Sequence, residues 1–415
     1  MNLGRVYVWQ PDASHPLGGR IELKEVTLPN LGAERPGRLT GHHVRVRNAS
    51  VLEGIPLGDA GPDAGGDFLF QPARGGKRVD KTASPDAQAS ESYIQASRFG
   101  EVNTYYHLDR IASHVNGLLE DLGALPLPRV TAVVNAHAAT EEHHGIRDGV
   151  RHRGRWRAFQ GGHYRLPGPR LNIREPHPVS PDGEIHVGPG WELLGHGALV
   201  ESAGASYRHN ASHNAAILYH EFGHHVTRHV ADFQGNAQRP QELQENRKTS
   251  FDEGVSDYWA ATMLDSPHIW AWHRRHDDRV RHRRSLLSPK TMGDFQLGPD
   301  ADLHANGTIW AAALWELRTR MGHPEATDRL VLKSLLLLRE VYARASGANL
   351  DLFGEESFRS GVGALLRADA ELNESGYRTL ILDVFGARGI PGGRSSFRQH
   401  VLTRRAPPDA DRSGQ

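Results

Sequence analysis

Residues Leu218 to Val230 read LYHEFGHHVTRHV and place four histidines and one glutamate in thirteen positions. Imidazole nitrogens and a carboxylate at such spacing can bind a divalent metal and move protons. A helix turns about 100° per residue, so His220 and His224 fall on one face, one turn apart. His225 is rotated by about 100° from His224, and His229 lies roughly opposite His220, outside any shared site. Glu221 borders the face of the first pair. The pattern is H-E-x-x-H, in which two imidazoles hold zinc and the glutamate acts on zinc-bound water.

The chain contains 26 histidines, so a histidine-decorated surface helix is the bland alternative. The flanks oppose it. AAIL precedes the motif, and Phe222, Val226 and Val230 run along it, which is the pattern of a buried helix. Buried paired imidazoles need a partner.

A third metal ligand is therefore required. A metzincin site would have Gly three residues past His224 and His six past it, but Thr227 and Val230 stand there. The longer fixed gap of aminopeptidase-type zinc sites is not met either, because no glutamate near residues 240–242 lies in a helical context. FDEGVSDYW is the better source. Glu253 and Asp257 are one turn apart on a helix flanked by Val255, Tyr258 and Trp259, and an acidic pair in apolar packing calls for a cation. Glu253 is positioned to reach zinc, and Asp257 to accept the free ring N–H of a liganding histidine. Ser250 and Glu253 also spell a capping box, which would account for Glu253 without metal but leaves Asp257 unexplained.

These motifs need a scaffold. RVYVW, RIELKEVTL and HHVRVRN are short β-branched runs separated by Pro and Gly, so residues 1–92 are expected to be strand-rich. Phe99, Val102, Tyr106, Ile111, Val115 and Leu118 recur at helical steps from Tyr93 to Leu122. RVTAVVNAHA and GEIHVGPG read as strands, and GEIHVGPGW is expected to be a sheet edge. Beyond Asn306 nearly everything reads as helix. The expected fold class is α+β, with an α/β lobe over 93–230 ending in the metal helix and a mainly helical lobe over 231–390. The tail 391–415 is expected to be disordered. Residues 1–92 are open to three readings: a pro-segment remnant, an accessory β module, or part of the catalytic fold.

H-E-F-G-H followed by D-E-G-V-S-D resembles the gluzincin zinc metallopeptidases, of the thermolysin and fungalysin kind, and lies closer to the fungalysin-like branch. VNTYYHLDRIASHV, GTIWAAALWELR, ALLRADAEL and VFGARGI agree with it, so the likeness touches most of the chain. It implies a two-lobed fold and a zinc-dependent endopeptidase. It also implies one zinc on His220, His224 and Glu253, with Glu221 as general base. Asp257 stands behind His220, and Asp252 occupies a place where relatives often support the other histidine. LHANGTIW resembles the thermolysin segment H-x-N-x-G, out of register by one residue, and nominates His304 as oxyanion stabiliser; Tyr258 and Tyr164 are weaker choices. Calcium sites occur in relatives, but no loop here is acidic enough to nominate one. The resemblance also implies secretion and peptide or protein substrates; the chain is expected to act as a monomer.

Composition narrows the alternatives. Lys+Arg and Asp+Glu both number 49, so no net field favours nucleic acid or an anionic membrane. The basic run HRRHDDRVRHRRS (273–285) contains Asp277 and Asp278 and reads as a salt-bridged face rather than a phosphate-binding patch. No stretch approaches the roughly 18 apolar residues of a membrane span. The first residues lack the pattern of a signal peptide. The absence of cysteine removes thiolate ligands and a cysteine nucleophile, so any zinc must sit on nitrogen and oxygen. A catalytically inert zinc protein of the same fold is the competing reading, and Glu221 argues against it.

Overall fold

The computed structural model describes residues 2–12, 14–15, 18–32, 37–52, 55–72, 87–138, 157–158, 161–168, 179–188, 210–246, 248–269, 284–298, 300–344 and 355–392. Residues 393–415 of the expected 391–415 tail and nearly all of the basic run lie outside these residues.

The first two apolar runs form an antiparallel hairpin of β1 (Leu3–Pro11) and β2 (Gly19–Thr27), with Tyr7 opposite Leu23. Val6 of β1 is fully buried, while β2 is largely exposed. β3 (Val44–Asn48) follows, then the two-residue pair β4 (Val51–Leu52) and β5 (Ile55–Pro56). The long helix α1 (Ala87–Asp121) leads to β6 (Val130–Val134) and the short pair β7 (His137–Ala138) and β8 (Arg157–Ala158). β9 (Gly162–Arg165) and β10 (Glu184–Val187) come next.

The larger sheet has the order β3-β6-β10-β9, with β3 and β10 parallel to β6 and β9 antiparallel to β10. One expectation is corrected here. GEIHVGPGW is not the edge; β10 is bonded on both sides, and β9 is the outer strand among the described residues. Flanking glycines made β10 look terminal, but all four of its residues are buried, as an interior strand requires.

Helix α1 packs Phe99, Val102, Ile111, Val115 and Leu118 into the core, matching the helical spacing in the sequence. Helices α2 (Ala215–Val230) and α3 (Ser250–Leu264) follow the sheet. Then come α4 (Leu303–Met321), α5 (Pro324–Arg344), α6 (Glu355–Asn373) and α7 (Arg378–Ala387). The architecture is mixed α+β, with a helical C-terminal part.

Two devices fix the helices that carry the site. The His107 imidazole on α1 accepts from the Tyr219 hydroxyl on α2 and donates to the Tyr7 carbonyl on β1, both at 2.7 Å. Burial pushes His107 down to about 3, so it stays neutral and can do both. On the other side, Phe251 of α3 packs on Trp310 of α4 at 4.6 Å between ring centroids, and Trp310 meets Phe385 of α7 at 4.8 Å. Emptying a buried Trp position of this kind costs about 3–5 kcal/mol, so this cluster anchors the helix that carries Glu253.

Candidate active site

Asn214 caps α2 by accepting from the Ala216 N–H at 3.0 Å, which starts the helix at Ala215, ahead of His220. Only Arg228 and His229 of α2 reach the surface in part. The other two histidines are structural. His225 shares a hydrogen bond with the Tyr164 hydroxyl at 3.1 Å and donates to the Pro128 carbonyl at 3.0 Å, and His229 donates to the Asp182 carbonyl at 2.9 Å. Burial holds His225 well below the usual range and brings His229 down to about 4.

Helix α3 is capped by Thr249, whose hydroxyl accepts from the Asp252 N–H at 3.1 Å. The capping box at Ser250 and Glu253 that stood as the alternative does not form, since the cap is Thr249. The Glu253 side chain is left free of that duty.

Glycines let the helices meet. A Cβ on Gly223 of α2 would lie 2.5 Å from the Ser256 Cα of α3, and one on Gly254 would lie 2.6 Å from the Gly307 carbonyl oxygen of α4. Neither position tolerates a side chain at this separation. The two crossings bring three helices to one point.

At that point the Glu253 carboxylate stands between the imidazoles. Its Oε2 is 3.1 Å from His220 Nε2 and its Oε1 is 3.7 Å from His224 Nε2. His304 Nε2, from the first turn of α4, is also 3.1 Å from Oε2. Burial alone would raise the Glu253 carboxyl, but His224, His220 and His304 hold it well below its usual range.

The back of each paired imidazole is held by an acid. His220 Nδ1 lies 2.8 Å from Asp257 Oδ1, and His224 Nδ1 lies 3.0 Å from Asp252 Oδ2. Burial and Arg284 both disfavour charge on His220, yet Asp257 and Glu253 outweigh them and push it up to about 10. The Thr227 hydroxyl donates to Asp252 Oδ1 at 2.5 Å, and the Ser256 hydroxyl lies 3.1 Å from His224 Nδ1. Glu221 is buried beneath the edge strand: a Cβ on Gly162 of β9 would fall 2.7 Å from its Cγ. All seven residues expected at the site are brought together around this strand and helix triad.

The donor set fits a small divalent ion. His220, Glu253 and His304 each offer an atom within 4.8 Å of the others, and His224 faces the second oxygen of Glu253. Donor separations of 3.1 and 3.7 Å suit ligands sharing one zinc with bonds of about 2.0–2.2 Å. His304 differs from the paired histidines. It is about half exposed, and its Nδ1 faces the exposed Asp302 at 3.5 Å. Asp302 caps α4 and is brought down to about 2 by hydrogen bonds from the His304 side chain and the first-turn amides.

A sequence model of the fungalysin metallopeptidase family (M36) matches residues 5–393. The chain belongs to that family. It is a metallopeptidase, and zinc is the metal the family implies. Comparison with curated proteins returns no match. No helix among the described residues of this metallopeptidase is long and apolar enough to cross a membrane.

Sequence reasoning missed one residue of the candidate site. Arg284, near the end of the basic run, holds Asp257 through Nε at 3.0 Å and a terminal nitrogen at 2.8 Å. The run looked like a solvated face, and nothing local marked Arg284 as different. Tyr258 and Tyr164 are turned elsewhere, the first donating to Asp328 at 2.6 Å and the second to the Asp182 carbonyl at 2.7 Å.

Proposed function

We propose that this chain is a zinc endopeptidase of the gluzincin type, with His220, His224 and Glu253 as metal ligands. The observation that carries the reading is the placement of Glu253 between the two imidazoles of the H-E-x-x-H helix. His224 is preferred to His304 as the third ligand because its rear nitrogen is fixed by a buried carboxylate, as expected of a metal-bound imidazole. Bound zinc would polarise the scissile carbonyl and acidify the attacking water.

Glu221 takes the proton of that water and delivers it to the leaving amine. His304 donates its Nε2 proton to the oxyanion, with Asp302 steadying the other ring nitrogen. Asp257, itself held by Arg284, and Asp252, itself held by Thr227, keep the two imidazoles in one tautomer and orientation. An extended peptide adds along β9, the outer strand of the sheet among the described residues, since main-chain pairing binds peptides without regard to most side chains.

The strand-rich residues 1–92 belong to the catalytic unit in this reading, because β3 is a strand of the same sheet as β9. The family supports secretion, which analysis of culture medium would test, and sedimentation of the purified chain would test action as a monomer.

The deciding experiment measures bound zinc and casein cleavage for the wild type and Glu221→Gln. One zinc in each and cleavage by the wild type alone are expected, with a loss of about 10²–10⁴-fold in rate for the variant. A wild type that binds zinc yet cuts no peptide would make the chain an inert zinc protein. Unchanged cleavage by Glu221→Gln would remove Glu221 from its role.

A further inference from the structure

Ser285 and His268 close a clasp beside Arg284. Ser285 pairs with His268 as an isolated antiparallel bridge, and the Leu286 N–H donates to the Pro267 carbonyl at 2.8 Å. The Ser285 hydroxyl accepts from the Leu287 N–H at 3.3 Å, which leaves its own proton for His268 Nδ1 at 3.1 Å. Ile269 and Leu286, one on each arm, are buried. A Cβ on Gly18, in the turn between β1 and β2, would lie 3.4 Å from His268 Cδ2, so the hairpin backs the ring.

The clasp begins and ends on one helix. Ser266 donates its N–H to the Ala261 carbonyl of α3 at 3.1 Å, and its hydroxyl accepts from the His268 N–H at 3.2 Å. His268 is thereby fixed relative to the C-terminal end of α3. From there the path runs through Ser285 to Arg284, whose guanidinium returns to Asp257 on the same helix at 2.8 and 3.0 Å. Consecutive side chains of extended backbone point to opposite sides, so a Ser285 turned to His268 leaves Arg284 turned to Asp257. A slip of one residue in this pairing would exchange the two.

We propose that His268 and Ser285 are positioning residues for the metal centre, which hold Arg284 on Asp257 and off Glu253. This rests on the zinc reading above. The terminal nitrogen of Arg284 that lies 2.8 Å from Asp257 Oδ1 is also 3.5 Å from Glu253 Oε2. A small displacement hands the guanidinium to the ligand carboxylate, where its charge competes with the metal for the same oxygen. Asp257 at the same time loses the fork that orients it toward His220. Both losses pass through Arg284, which gives the clasp a signature that loosened packing lacks.

Zinc affinity of the full chain, measured by competition with a chelator, tests this. Ser285→Ala and His268→Ala should each weaken zinc binding by about tenfold, the lower end of what a group behind a metal ligand contributes. The double variant should lose no more than either alone. In an Arg284→Ala background the same substitutions should change the affinity by less than about twofold. His268→Asn, whose amide oxygen takes the place of Nδ1, should restore most of the binding. The proposal is overturned if Ser285→Ala binds zinc as the wild type does, if the loss persists in the Arg284→Ala background, or if His268→Asn is as weak as His268→Ala. A wild type that takes up no zinc would overturn the metal reading, and this inference with it, whereas failure to cut peptides would sink the peptidase reading alone.

Discussion

Arg284 and Asp257 form a two-point ion pair, at 2.8 and 3.0 Å, and the oxygen bound at 2.8 Å also faces His220 Nδ1. The arginine thereby fixes the carboxylate that fixes the imidazole. Burial alone would raise the Asp257 carboxyl, but Arg284 and His220 hold it below its ordinary value, so it remains a proton acceptor. Lysine cannot reproduce the planar fork. Arg284→Lys should weaken zinc binding by about 10–100-fold, measured by competition with a chelator. Unaltered affinity would show that Asp257 holds His220 unaided.

Thr227 occupies the place where another class of zinc peptidase would carry glycine, and its hydroxyl serves Asp252. Thr227→Val removes that donor at nearly constant volume and should lower zinc affinity by about tenfold. Thr227→Ser should restore it. Equal affinities for the valine and serine variants would limit the residue to packing.

Gly223 is the contact through which α2 meets α3. Gly223→Ala forces its Cβ against the Ser256 backbone, a clash expected to cost about 1–3 kcal/mol. Chemical denaturation should show the loss, and zinc affinity should fall with it as His224 moves from Glu253. An alanine variant as stable as the wild type would mean that the crossing has slack.

Glu101 gives the fold an unusual pH response. It is buried against the Asn48 side chain at 2.6 Å and the Ala60 N–H at 2.7 Å, and burial raises its carboxyl from 4.5 to about 8 despite both hydrogen bonds. The folded chain therefore holds a proton that the unfolded chain has released. Stability from this group is complete below pH 4.5 and is lost as pH rises through about 8. Between pH 4.5 and about 8, thermal melts of Glu101→Gln should depend less on pH than those of the wild type; equal slopes in that window would mean that this carboxyl is ionised in the fold.

Removal of residues 1–48 should abolish cooperative unfolding. That deletion takes away β3 and the buried Val6, Leu28, Leu39, Val44 and Val46. A soluble, active remainder after deletion would make the segment a dispensable module.

Much of the site was legible before any coordinates because its key relations are local. Helical period places His220 beside His224, and Glu253 one turn before Asp257, whatever the rest of the chain does. Alternating and helical runs likewise placed most strands and helices, including α1 and the C-terminal series. The edge strand was misread because a strand's neighbours are chosen by a crossover, which short flanking glycines do not encode.

What the amino-acid order determined alone was the chemistry on offer: nitrogen and oxygen ligands, a carboxylate base and no thiol. Tertiary structure decided which of these groups meet. It moved the α3 cap to Thr249, drew Arg284 out of a charged run onto Asp257, and set Lys248 over Tyr164. The reason is physical. Periodicity is a property of a few consecutive residues, whereas these contacts depend on where close-packed helices cross, and that is settled by side-chain volumes far apart in the chain.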